Sequence, residues 1–152
     1  MRGYSVIELV VVIAVLGILA AVAAPRFFAR DVFAERGYAD ELADAIRQAQ
    51  RTATVTGCPV EVRVTTAGLQ ARLPQASAGH CASLAASTWT TPIRRSDGGT
   101  LDAAPPSGVS IVGSARVVFD FDGRASNGSA ITIQVGGRTV SIAAITGRVA
   151  VT

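Results

Sequence analysis

Two hydrophobic patterns follow one another along the first 56 residues. Residues 9–24 carry no charge, and Gly17 alone among them lacks an apolar side chain. Residues 4–7 extend this run toward the N-terminus, with Glu8 as its one interruption. At 1.5 Å per residue, a helix over residues 4–24 reaches about 31 Å, enough to cross a bilayer core. Val, Ile, Leu and Ala occupy every side of it. Such a helix belongs in lipid or among other apolar helices, not on a protein surface.

The pattern changes abruptly beyond Pro25. Phe28, Val32, Ala39, Leu42, Ile46, Ala49 and Ala53 recur at spacings of mostly three and four, which predicts an amphipathic helix. Its opposite side bears Asp40, Asp44, Arg47 and Arg51, acidic before basic, as the helix dipole and i,i+4 pairing favour. Gly57 is the expected C-cap, and Pro59 prevents continuation.

From residue 60 the period is two. Val60, Val62 and Val64 alternate with Glu61, Arg63 and Thr65, and a turn at Ala67-Gly68 leads into residues 69–73, predicting a hairpin. Residues 74–108 read as irregular, with Pro92, Pro105 and Pro106 as breakers. Further strands are expected at residues 109–112, 116–121, 130–135, 140–142 and 148–151, with Gly136-Gly137 as a two-residue hairpin turn. The expected fold class is α+β: a long N-terminal helix, apolar then amphipathic, whose distal half packs on an antiparallel sheet.

Composition adds three constraints. A chain of 152 residues supports one domain with a real core but hardly two. The formal charge of +3 rests on arginine alone, since the sequence contains no lysine, and it is too mild to demand an anionic partner. Cys58 and Cys81 are the two cysteines; beside an export or membrane signal such a pair suggests a disulfide, the alternative being two separate buried thiols. Closing that loop would stabilise by about 3 kcal/mol in the chain-entropy model.

The apolar run by itself admits three readings. It fits a secretory signal peptide cleaved after Ala21-Val22-Ala23, a plain anchor, or a segment processed ahead of the apolar stretch. Glu8 discriminates. A carboxylate inside a membrane helix costs about 2.5–3.5 kcal/mol on insertion scales and is retained where it has a partner. Arg2-Gly3, then Tyr4-Ser5-Val6-Ile7-Glu8-Leu9, the long apolar helix and Pro25 together resemble the type IV pilin and pseudopilin superfamily.

That resemblance implies a leader at residues 1–3, a membrane and filament-core helix at residues 4–25, and a periplasmic globular domain at residues 26–152. It implies cleavage by a prepilin peptidase between Gly3 and Tyr4 and N-methylation of Tyr4. It also implies an assembly role for Glu8, pairing with a neighbour's N-terminal ammonium, and a helix kink at Pro25. The leader is short for the family, and tyrosine stands where phenylalanine is commonest. The expected location is the bacterial inner membrane and then a pilus or pseudopilus, with other pilins as partners.

Downstream residues narrow the resemblance to the GspH/FimT branch of minor pilins and pseudopilins. They are residues 47–53, Gly57-Cys58-Pro59-Val60, Phe119-Asp120-Phe121-Asp122-Gly123 and Ile145-Thr146-Gly147-Arg148. Within it the chain most resembles the MshC-type minor pilin of mannose-sensitive haemagglutinin (MSHA) pili. A GspH-like pseudopilin of type II secretion is the alternative, and a FimT-like DNA receptor a second one.

Catalytic chemistry finds no support. His80 is the single histidine, in a Gly-rich stretch beside Cys81, and neither a nucleophile elbow nor a phosphate loop is present. No cofactor or metal is expected: four ligands cannot be assembled around His80 and Cys81, and Asp120-Phe121-Asp122-Gly123 is followed by Arg124 rather than further oxygen ligands. Arg116, Arg124, Arg138 and Arg148 would contact DNA phosphate if they converged on one face; dispersed solubilising charge is the simpler reading.

Overall fold

The computed structural model describes the backbone of residues 5–77, 80–81 and 88–152, and the side chains of these except residues 22–31, 76, 77, 80 and 81. Helix α1 runs Val6–Thr56, 51 residues, and stays helical through Pro25. It stops where the glycine was expected to stop it. Gly57 takes φ 66°, the left-handed conformation that a C-terminal cap needs and that a Cβ disfavours.

The chain divides into two compact units, Met1–Phe33 and Ala34–Thr152. In the second unit α1 presents Tyr38, Ala39, Leu42, Ile46, Ala49 and Ala53, each at most 2% exposed, to the β structure. Fully burying a leucine or isoleucine stabilises by roughly 1.5–3 kcal/mol, so this stripe anchors the domain. The whole core cluster lies between Tyr38 and Val149, so the second unit is complete in itself. Val32, read in the sequence as part of the same stripe, is half exposed in the first unit.

The β structure forms two antiparallel main sheets rather than one. In the first, β1 (Val60–Thr65) and β2 (Gly68–Pro74) make the expected hairpin, and β8 (Ala115–Phe119) pairs with the other side of β1. The stretch expected to be irregular supplies β3 (Ala76–Ser77) and β4 (His80–Cys81), which pair with each other. It also supplies β5 (Trp89–Pro92) and β6 (Asp102–Ala103), both along the outer edge of β2. Segments of two to four residues, one ending in proline, are too short to show a period. The second sheet has the order β11 (Val149–Val151), β10 (Arg138–Ile142), β9 (Ile131–Val135), β7 (Ile111–Val112). Val62, Val64, Leu69, Ala71, Val117 and Phe119 point inward from the first sheet; Ile133, Val135, Val140 and Ile142 do so from the second.

Polar bonds fix helix and sheets together. Tyr38 donates its hydroxyl to Ala103 O at 3.0 Å, and Glu35 accepts from Gly137 N at 3.1 Å. Gly68 must be glycine: at φ 121° a Cβ there would lie 2.2 Å from Ala103 O, the oxygen Tyr38 uses. Along β8, Ser126 N donates to Val118 O at 2.8 Å and Asn127 Nδ2 to Arg116 O at 2.6 Å. On β11, Arg47 Nη2 donates to Val149 O at 3.2 Å.

Candidate functional site

The described side chains of the first unit have no core. Every residue from 5 to 21 is exposed, and the large apolar ones from Val6 to Leu19 are each 48–79% exposed. Glu8 sits in the first turn of α1 within this bare apolar surface. Near the positive end of a helix a carboxylate is favoured. Among the described residues no helix is long and apolar enough to cross a membrane. Residues 6–21 span only about 24 Å at helical rise, and the apolar run continues to residue 24, where side chains lie outside the described set. Gly3, Tyr4 and the side chains of Pro25 and Cys81 also fall outside it, while Cys58 is half-buried just past the end of α1.

The four C-terminal arginines have different surroundings. Arg116 projects from the outer face of the first sheet, where its Nε bonds Glu61 Oε1, and Arg63 Nη2 reaches the same carboxylate at 3.2 Å. Alternation sets Glu61 on the face opposite the core valines; there it is 3% exposed, its charge compensated by two guanidinium groups. No periodicity signal could have revealed that. On the same face Arg72 holds Asp102 through two bonds, at 2.6 and 3.2 Å. Burial pushes the Asp102 carboxyl up, but hydrogen bonds from Arg72 and Thr100 and the charge of Arg72 outweigh it and hold it below the usual range.

Arg138 begins β10 beside Arg36, Asp40 and Val151. Arg124 is exposed in the turn after β8, its amide bonded to Asp120 Oδ1 at 2.8 Å. Asp122 N donates to the same oxygen, so the Asp120 carboxylate shapes this turn.

Arg148 faces a groove of about 350 Å³ with Arg47, Gln50, Arg51, Asp122 and Gly123. Gln50 builds it. Its Nε2 donates to Gly123 O at 2.7 Å and to Thr146 O at 3.2 Å, tying the β8–β9 turn to the β10–β11 turn under the helix. Arg47 and Arg51 were legible in the sequence only as a solvated helix face.

Among the described residues no group of three or more histidine, cysteine or acidic side chains is placed to hold a metal. The described polar clusters offer pairing and docking chemistry.

No curated protein matches the sequence. The fold is similar to that of the type IV minor pilin FimU of Pseudomonas aeruginosa in two crystal forms. One gives a TM-score of 0.54 at 16% identity over 77% of this chain and 87% of that one. The other gives 0.50 at 17% identity, over 77% and 91%. The helix packed on antiparallel sheet is thus a pilin-like α+β fold. Residues 38–147 match the family described as type II transport protein GspH, which covers most of the chain. The chain belongs to the GspH family, whose members are structural proteins and not enzymes.

Proposed function

We propose that the chain is a subunit of a type IV pilin-like filament, a minor pilin of the MSHA-like kind that helps prime assembly. It is cleaved between Gly3 and Tyr4, methylated on Tyr4, and held in the inner membrane by residues 4–25. The same helix then carries it into the filament beside other pilins. One observation carries this reading: eleven large apolar side chains between Val6 and Leu19 stand 48–79% exposed on a helix with no core around it.

The energetics locate the assembly signal at one residue. Lipid is as apolar as a bundle of leucines, so the hydrophobic effect holds this helix equally in membrane or filament. Glu8 breaks the tie. In lipid its carboxylate is costly, whereas in a filament it can pair with the terminal ammonium of the next subunit. Support for a Cys58–Cys81 disulfide comes from the bonded state of Cys58 and from there being no free cysteine among the described residues. It would tie the end of α1 to β4.

Intact mass of the mature protein tests the processing step. A chain beginning at Tyr4 with one extra methyl is expected; one beginning at Ala24 would restore the secretory signal peptide. A second reading, a GspH-like pseudopilin in a periplasmic secretion filament, is favoured by the family match over residues 38–147. Deletion of the gene separates the two: loss of surface pili supports the first, and retained pili with loss of secreted proteins supports the second.

A further inference from the structure

The β10–β11 turn holds the one non-glycine residue with positive φ among the described residues, Ile145, at 68°. Thr146 N donates to Ala144 O across it at 2.7 Å, the i→i+2 bond of a γ-turn, and positive φ at the centre marks the rarer, strained hand. A β-branched residue is among the worst choices there. The outcome of that strain is a large aliphatic side chain held 62% exposed. Phe121, on the neighbouring turn, is 49% exposed. Gln50 locks these two turns together, and between them and α1 lies the arginine groove.

Three arginines and one exposed carboxylate, Asp122, line the groove, which leaves a surplus of positive charge. Arg47 is occupied by Asp44 at 2.7 Å and by Val149 O. Arg51 and Arg148 are exposed and form no ion pair among the described residues. Two available guanidinium groups favour planar, bidentate partners. A volume of about 350 Å³ suits one or two side chains rather than a large ligand. Strained Ile145 and unstrained Phe121 do not line the groove but stand on the two turns that border it, a small exposed apolar anchor with a charged neighbour, as at protein interfaces.

We infer that this surface docks an acidic segment of another protein, one presenting one or two carboxylates beside an aliphatic side chain. The exposed apolar pair weighs against nucleic acid, whose phosphates would use the arginines and leave Ile145 and Phe121 idle. Charge complementarity selects the carboxylates, and Ile145 selects the aliphatic neighbour. The groove is built wholly within residues 34–152, from the distal part of α1 and the two turns, and needs none of residues 4–25.

The second unit contains its own core, so residues 34–152 serve as the test protein. The ¹⁵N-labelled fragment is titrated with a short peptide carrying two glutamates around a leucine, with its glutamine counterpart, and with a duplex oligonucleotide. The glutamate peptide is expected to shift the amides of Gln50, Arg51, Gly123 and Arg148. Arg51→Glu with Arg148→Glu, both on exposed positions, should weaken it at least tenfold. Ile145→Gly, which suits the backbone there, should weaken it about fivefold while the fragment stays folded. Equal shifts with the glutamine peptide, shifts with DNA alone, or full affinity in Ile145→Gly would each overturn the inference.

Discussion

Tyr38 provides an unusually isolated test of the helix–sheet contact. It is 2% exposed, and its hydroxyl donates to Ala103 O at 3.0 Å. Tyr38→Phe keeps the ring packing and removes this bond. A buried hydrogen bond contributes about 0.5–1.5 kcal/mol, and the abandoned carbonyl adds to the loss, so roughly 1–2 kcal/mol is expected in urea unfolding of residues 34–152 at pH 7. The same hydroxyl supplies a second readout. Burial, and then the negative charge of Glu41, push its pKa up to about 12 from 10.0.

Because the folded pKa is raised, the unfolded chain loses its proton first. Stability is therefore complete below pH 10 and declines between pH 10 and 12. The limit is about 2.7 kcal/mol for two pKa units, less whatever water reaches the hydroxyl. The fragment has no lysine and no other tyrosine, so absorbance at 295 nm follows Tyr38 alone. A folded-state midpoint near 12 is expected, and Tyr38→Phe should lose the alkaline decline. A midpoint near 10, or an unchanged decline in the variant, would refute the reasoning.

Other substitutions probe other joints. Gly68→Ala forces a Cβ toward Ala103 O at φ 121° and should cost roughly 2–4 kcal/mol in thermal or urea unfolding, displacing β6. Gln50→Ala removes both bonds between the turns and should cost about 1–2 kcal/mol, with faster amide exchange around Gly123 and Thr146. Asp102→Asn should flatten the acid limb of the stability profile, because a lowered carboxyl pKa gives stability that is lost as pH falls through it. Glu8→Leu should insert in the membrane normally yet fail to enter filaments, scored by subunit content of sheared pili; normal incorporation would remove the role assigned to Glu8.

The sequence was most readable where one physical rule dominated. The all-round apolar run, the stripe through Leu42, Ile46 and Ala49, the cap at Gly57 and the 60–73 hairpin each follow from periodicity or a single backbone requirement. Strands β5 and β6 were hidden because they are held by an existing edge rather than by their own pattern. Glu61 was hidden because burial on a sheet's outer face depends on long arginine side chains from residues two and 55 positions away. Ile145 falls between the expected strands at residues 140–142 and 148–151, and strain in such a connection leaves no compositional trace. The arginine groove joins positions about one hundred residues apart and becomes visible only once Gln50 brings its two turns together.

The bonds along β8 and β11 have a further consequence for how copies can meet. Both outward carbonyls at Arg116 and Val118 are taken by Ser126 and Asn127, and the outward carbonyl at Val149 is taken by Arg47. A sheet margin with its acceptors filled is a poor template for a foreign strand. Lateral β-pairing, the route by which exposed margins run into aggregates, is therefore obstructed at these positions. A protein crowded against neighbours at high local concentration is thereby kept from being glued to them at these margins.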